Sequence, residues 1–183
     1  MDDEAGSDPF GPRLVAVLAR EAGRRAWHAV IAQAATPPAF WLDEAAPAED
    51  RLEMDAAGGV YPVRVARFGV VVRGPGDVEL FIGSGAGVTL RYAVRRDDSP
   101  DRDAPDGGQR EAVDDLSEWL DAVLDGRVTE RQRVRDGVVV ATRVAVTWRD
   151  GTTTCVYSPA SPAALAAERT AARRFAPYAQ PAG

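Results

Sequence analysis

The stretch RVTERQRVRDGVVVATRVAVTWRDGTTTCVY, residues 127–157, decides the fold. Two Asp-Gly pairs, Asp136-Gly137 and Asp150-Gly151, divide it into three runs where apolar and polar residues alternate. Asp-Gly accepts the positive φ of a two-residue hairpin turn, and period-two alternation marks a strand with one face toward a core. The stretch therefore reads as an antiparallel meander of strands 127–135, 138–148 and 152–157.

The first strand of that meander carries the feature most open to a functional reading. Alternation puts Arg127, Arg131, Arg133 and Arg135 on one face, with Val128, Glu130, Gln132 and Val134 on the other. A strict two-residue turn at Asp136-Gly137 would set those arginines beside the apolar face of the next strand. Either an extra residue shifts the register, or the strand is an edge whose arginines lie over the rim. On the same pattern Cys155 shares a face with Val144, Val146, Trp148 and Tyr157, the place of a structural buried cysteine.

Upstream, residues 110–125 give the best helix of the chain. Ala112, Val113, Leu116, Trp119, Leu120, Val123 and Leu124 form one stripe, Glu111, Asp114, Asp115, Glu118 and Asp121 lie opposite, and Gly126 is a natural stop. Leu116 and Trp119 are expected to anchor it. Residues 97–109 hold nothing apolar larger than alanine and are expected to form a mobile acidic loop. Before it lies another meander of three or four strands. Val63, Val65, Phe68, Val70 and Val72 make the first part, with a bulge near Ala66-Arg67; Val78, Leu80 and Ile82 follow, then Val88, Leu90, Tyr92 and Val94.

Residues 12–35 show three- and four-residue spacing in Leu14, Val17, Leu18, Trp27, Val30, Ile31 and Ala34, which predicts a helix stopped by Thr36-Pro37-Pro38. Residues 36–58 read as irregular, with Phe40-Trp41-Leu42 an apolar knot. Ser161-Pro162 opens a predicted helix to about Phe175. The chain thus reads as one α+β domain over 1–183, with 1–10 a loose acidic tail. It has two antiparallel meanders, separate or joined in one sheet, and three helices on one side, in the order α-β(3–4)-α-β3-α.

Composition removes whole function classes. All 22 basic residues are arginine, and the chain has neither lysine nor asparagine. With isoleucine also scarce, the codon bias is that of a GC-rich bacterial genome. Without lysine there is no Schiff base, no P-loop lysine and no kinase strand lysine. One His and one Cys exclude a closed structural zinc site. No apolar run reaches the ~20 residues that span a bilayer, no secretory signal is visible in the acidic start, and the lone cysteine suits a reducing compartment. The expected location is cytoplasmic, with no membrane partner.

Three motifs invite chemistry and each has a plainer reading. Gly83-Ser84-Gly85-Ala86-Gly87 lacks the G-x-G-x-x-G spacing and precedes a strand rather than a helix, so it reads as a hairpin turn. His28 and Cys155 could form a nucleophile pair, but nothing in the sequence brings them together. Asp97, Asp98, Asp101, Asp103 and Asp106 lack the glycine and distal glutamate of a calcium loop. No catalytic residue, metal or cofactor is expected.

Charge is unevenly spread. The chain has net charge −6, yet residues 126–183 hold nine arginines against four acids, whereas residues 97–125 hold two against eleven. The plain reading pairs the strand arginines with the acidic helix or with water. The functional reading makes Arg127, Arg131, Arg133 and Arg135 a surface for an acidic partner, because a guanidinium fork matches a carboxylate. The expectation is a non-enzymatic protein-binding domain of adaptor, accessory or immunity type, with room for homo-oligomers. The alternative is a small-molecule binder or enzyme with an arginine/carboxylate pocket. Nucleic-acid binding ranks last, because a pI near 4.9 opposes phosphate.

Overall fold

Phe10, Leu14, Val15, Leu18 and Ala22 recur on one stripe of the first helix, α1 (Phe10–Arg25), and all are buried. Arg24 and Arg25 occupy its last turn, where cations meet the negative end of the helix dipole. The expected helix ends ten residues early. After Ala26 the chain becomes strand β1 (Ala29–Ala35), which turns at Thr36-Pro37 into β2 (Pro38–Glu44). The Thr36–Pro37 peptide is cis. Thr36-Pro37 is the turn between β1 and β2 rather than a helix stop, and Phe40-Trp41-Leu42 is strand: Phe40 and Leu42 are buried on one face. Phe10 belongs to α1 rather than to a tail.

The computed structural model describes residues 10–26, 29–44, 52–54, 60–62, 65–74, 76–84, 88–93, 107–135, 138–158, 170–175 and 177–178. Residues 1–9, the Asp cluster of 97–106, His28 and the 161–169 part of the predicted last helix lie outside them. The short strands β3 (Leu52–Met54) and β4 (Val60–Pro62) pair with each other. Then β5 (Arg67–Gly74), β6 (Asp77–Gly83) and β7 (Val88–Ala93) form the first meander, and the antiparallel order is β1-β2-β5-β6-β7. The irregularity in β5 falls between Val72 and Gly74, not at Ala66-Arg67.

Strand β5 is buried continuously from Phe68 to Val72. A central strand covered on both sides gives such an unbroken run. Phe68, Val70 and Val72 face the core, while Val71 is buried on the other face. On that far face Trp41 lies directly opposite Gly69 and packs against Phe81 at 4.9 Å between ring centroids. A Cβ at Gly69 would come within 2.2 Å of the Trp41 ring, so the strand needs glycine where the indole crosses it.

Helix α2 (Gly107–Leu124) presents Ala112, Leu116, Leu120 and Val123 to the core. It starts three residues before the expected position, so Gly107, Gly108 and Gln109 are helical rather than loop. Trp119 is only partly buried and meets Trp148 edge to face at 4.8 Å. Gly126, at φ 66°, closes the helix. Its N–H donates to the Val123 carbonyl, and the Arg127 N–H donates to that of Ala122, a Schellman stop.

The second sheet contains β8 (Val128–Arg135), β9 (Val138–Thr147), β10 (Thr153–Ser158) and β11 (Thr170–Arg174), in the order β10-β9-β8-β11. The three strands of 127–157 form in the order read, but β9 and β10 are joined by three residues, Arg149, Asp150 and Gly151, rather than two, and Asp136-Gly137 lies outside the described residues. The predicted last helix does not hold over 170–174, which pair antiparallel with β8. The molecule is thus α+β with two antiparallel sheets and, among the described residues, two helices rather than three. A third pairing, β3 with β4, stands apart from both. One apolar cluster gathers α1, α2 and the inner faces of both sheets, including Val128, Val144, Val146 and Val156. Tyr178 closes it, its hydroxyl donating to the Ala66 carbonyl at 2.9 Å.

Candidate functional site

The register of β8 against β9 decides where the arginines go. Arg135 pairs with Val138 and Val134 with Val139, but Arg133 pairs with Ala141. Val140 is therefore an extra residue on β9, a bulge, and it is one of the exposed large apolar residues. This one-residue slip answers the conflict in the sequence. It keeps Val144 and Val146 on the buried face with Val128 and turns Arg143 to the outer face with Arg131. Strand β8 is also no edge, since β11 covers its other side.

On the outer face the registers define a grid. One row places Tyr157 of β10 opposite Arg143, and Arg143 opposite Arg131. The next row runs Cys155, Ala145, Thr129 and Arg174. Cys155 consequently does not share the Val144/Val146 face; Val156 does, and Cys155 lies half-buried on the outer side. Arg143 holds this corner together. Its Nη2 donates to Cys155 Sγ at 2.9 Å, and its guanidinium sits 5.7 Å from the Tyr157 ring centroid. The hydrogen bond to Cys155 raises the Arg143 pKa above the usual arginine value. Its Nε is buried and has no hydrogen-bond partner. Between the two arginines lies a concavity of about 90 Å³ lined by Thr129, Arg131, Arg143 and Ala145.

The expected four arginines do not act as one set. Arg131 is exposed, and Arg133 is half-exposed on the same face. Arg127 turns away toward the end of α2, where its Nη2 lies 3.0 Å from Asp125 and its Nη1 donates to the Thr147 carbonyl. The side chain of Arg135 lies outside the described residues. Arg143 and Arg174 join the face, and sequence reasoning missed both. Arg143 could have been found only by adding the bulge at Val140.

The acidic helix takes its charge partners elsewhere. Asp121 accepts from Arg25 and Arg149, Asp125 from Arg25 and Arg127, and Asp115 from the Tyr92 hydroxyl. Beside these pairs is a cleft of about 420 Å³ lined by Glu118, Asp121, Arg127, Trp148, Arg149, Asp150 and Thr152. At its rim the Thr152 hydroxyl and backbone N–H both donate to Asp150, which lowers that carboxyl below the usual range.

The Gly83–Gly87 loop does lead into a strand, β7. The donors of its Ser84 serve the protein itself: N–H and Oγ both donate to Glu130, at 2.8 and 2.7 Å. Gln132 Nε2 donates to the same carboxylate at 2.6 Å. Glu130 is 1% exposed and so is a buried carboxylate tying β8 to the end of β6. Among the described residues no group of three or more His, Cys, Asp or Glu could hold a metal, and no helix is long and apolar enough to cross a membrane. No family model, curated protein or solved structure matches the chain.

Proposed function

We propose that the chain is a protein-binding module whose outer second-sheet face, bearing Arg131, Arg133, Arg143 and Arg174, receives an acidic segment of another protein. One observation carries the reading. Arg131 and Arg143 stand directly opposite each other, and neither has a carboxylate partner among the described residues. Like charges placed opposite in a sheet destabilise it, so an anion from outside is what such a pair fits. Asp121 and Asp125 are engaged by Arg25, Arg127 and Arg149, on the side of the molecule away from Arg131 and Arg143. A short acidic segment needs only that face, whereas a nucleic-acid duplex would also meet the negative remainder of a chain of net charge −6.

The test is a binding series. Acetylated, amidated peptides of rising Glu content, plus duplex DNA and single-stranded RNA, are titrated against wild type and Arg131→Gln/Arg133→Gln. Affinity should rise with Glu content, fall with salt, and drop at least tenfold in the double variant. Equal binding by both proteins removes the reading, and tighter binding to DNA or RNA hands it to nucleic acid.

The cleft beside Trp148 favours a second reading, a small-molecule site, because its size falls within the ~300–1,000 Å³ usual for ligands. Its Asp121 and Arg149 are already paired with each other, which ranks it below the sheet face. A melting-temperature rise with a small molecule, abolished by Trp148→Ala, would reverse that order.

A further inference from the structure

We infer that the concavity between Arg131 and Arg143 is a seat for one carboxylate group of the acidic partner, and that Arg143 is its preorganised half. This rests on the protein-binding reading above and adds where the partner is gripped.

Arg143 has the makings of a fixed receptor. The Tyr157 ring and Cys155 Sγ hold its guanidinium from the β10 side, and its Nε is a buried donor with no acceptor. A guanidinium locked before binding loses less freedom when the ligand arrives. Arg131, exposed on the neighbouring strand, supplies a second fork from the opposite wall, and Thr129 adds a hydroxyl. Arg174 lies opposite Thr129 on β11 and extends the positive rim.

Geometry suits a carboxylate. Two guanidinium forks on facing strands, across a concavity of about 90 Å³, match the two oxygens of one planar carboxylate. One carboxylate leaves the pair of arginines with a net positive charge, so a neighbouring acid of the same segment is drawn to Arg174.

Cys155, the only cysteine of the chain, reports on the seat. Its Sγ lies 2.9 Å from Arg143 Nη2, beside the seat. A segment lying over the seat covers that sulfur and slows alkylation. The experiment follows iodoacetamide alkylation of Cys155 with the Glu peptide and its Gln counterpart, in wild type, Arg131→Gln and Arg133→Gln, each first shown folded by its melting curve. Saturating Glu peptide should slow the wild-type rate at least threefold, and Gln peptide should not. Arg131→Gln should weaken peptide binding at least tenfold, Arg133→Gln less than threefold. If both variants weaken binding equally and the Cys155 rate stays constant, the segment lies on the face without the seat, and only this inference falls. If the wild type binds no Glu peptide, the protein-binding reading falls first. If a phosphoserine peptide binds more tightly and slows Cys155 further, a phosphate rather than a carboxylate occupies the seat, and the inference is overturned.

Discussion

Strand β5 is buried without a break from Phe68 to Val72, whereas in β8 buried Val128 and Glu130 alternate with exposed Thr129 and Arg131. Both strands are central in their sheets. The difference lies in what covers them. The far face of β5 is roofed by Trp41, itself packed on Phe81, so its strand contributes packing on two sides. The far face of β8 carries Arg131 opposite Arg143 of β9, whose Nε is unpartnered, and its near face buries a carboxylate. The first sheet is built for stability. The second gives up some stability to keep charge in place, which is what the proposed binding face requires.

The largest expected effect tests the first half of that contrast. Phe68 is fully buried and meets Phe40 edge to face at 6.2 Å. Phe68→Ala should lose about 3–5 kcal/mol in urea unfolding, a large share of the ~5–15 kcal/mol of a typical domain. A loss under about 1 kcal/mol would show that the first sheet does not bear the stability.

Glu130→Ala comes next. It leaves the Ser84 N–H and the Gln132 amide without their buried acceptor and should cost about 1–3 kcal/mol. Paired with Ser84→Ala it should be non-additive, because both changes break the same contact. Additive losses would mean that the two sheets are joined by packing alone.

Arg131→Thr should move stability the other way. It removes a like-charge pair and puts a strand-favouring residue opposite Arg143, for a gain of about 0.2–1 kcal/mol. The same variant should lose affinity for acidic peptide. A variant that is destabilised instead would make Arg131 a structural residue and dissolve the contrast.

The smallest effect concerns Asp150. Its carboxyl sits below the usual range because Thr152 donates to it, first through the hydroxyl. A depressed carboxyl stabilises the fold above its unfolded value, near ~3.9, and loses that contribution as pH falls through the folded value. The group is exposed, so the contribution is small. Thr152→Val should raise the Asp150 midpoint in an NMR titration; an unchanged midpoint would assign the shift to the backbone N–H alone.

Legibility followed burial. Where one face is buried and the other wet, as in β6, β7 and α2, the period showed and the elements formed as read. β1 failed because it is a mostly exposed strand of alanine-rich sequence, AVIAQAA, with no alternation to see. β11, TAARR, has helix-forming residues whose conformation is set by the open side of β8, a tertiary cause that no local window contains. The candidate site was half legible. Alternation grouped Arg131 with Arg133, but the bulge at Val140 recruited Arg143, and no turn signal marks it; Cys155 lies outward because a three-residue turn, Arg149 to Gly151, sets Thr153 opposite Thr147. The Arg127 link to Asp125 needed the Schellman stop to bring strand and helix end together.

The position of β11 has a consequence in time. A ribosome releases β8 well before Thr170–Arg174, so one side of β8 waits without its neighbour, at ~5–20 residues per second, for a matter of seconds. A waiting strand with bare N–H and C=O groups is a template for another nascent chain. Arg131 and Arg133 belong to that strand, and charged side chains on a bare strand disfavour such pairing. The same charges that we assign to a partner in the finished molecule thus keep sister chains apart while it is being made.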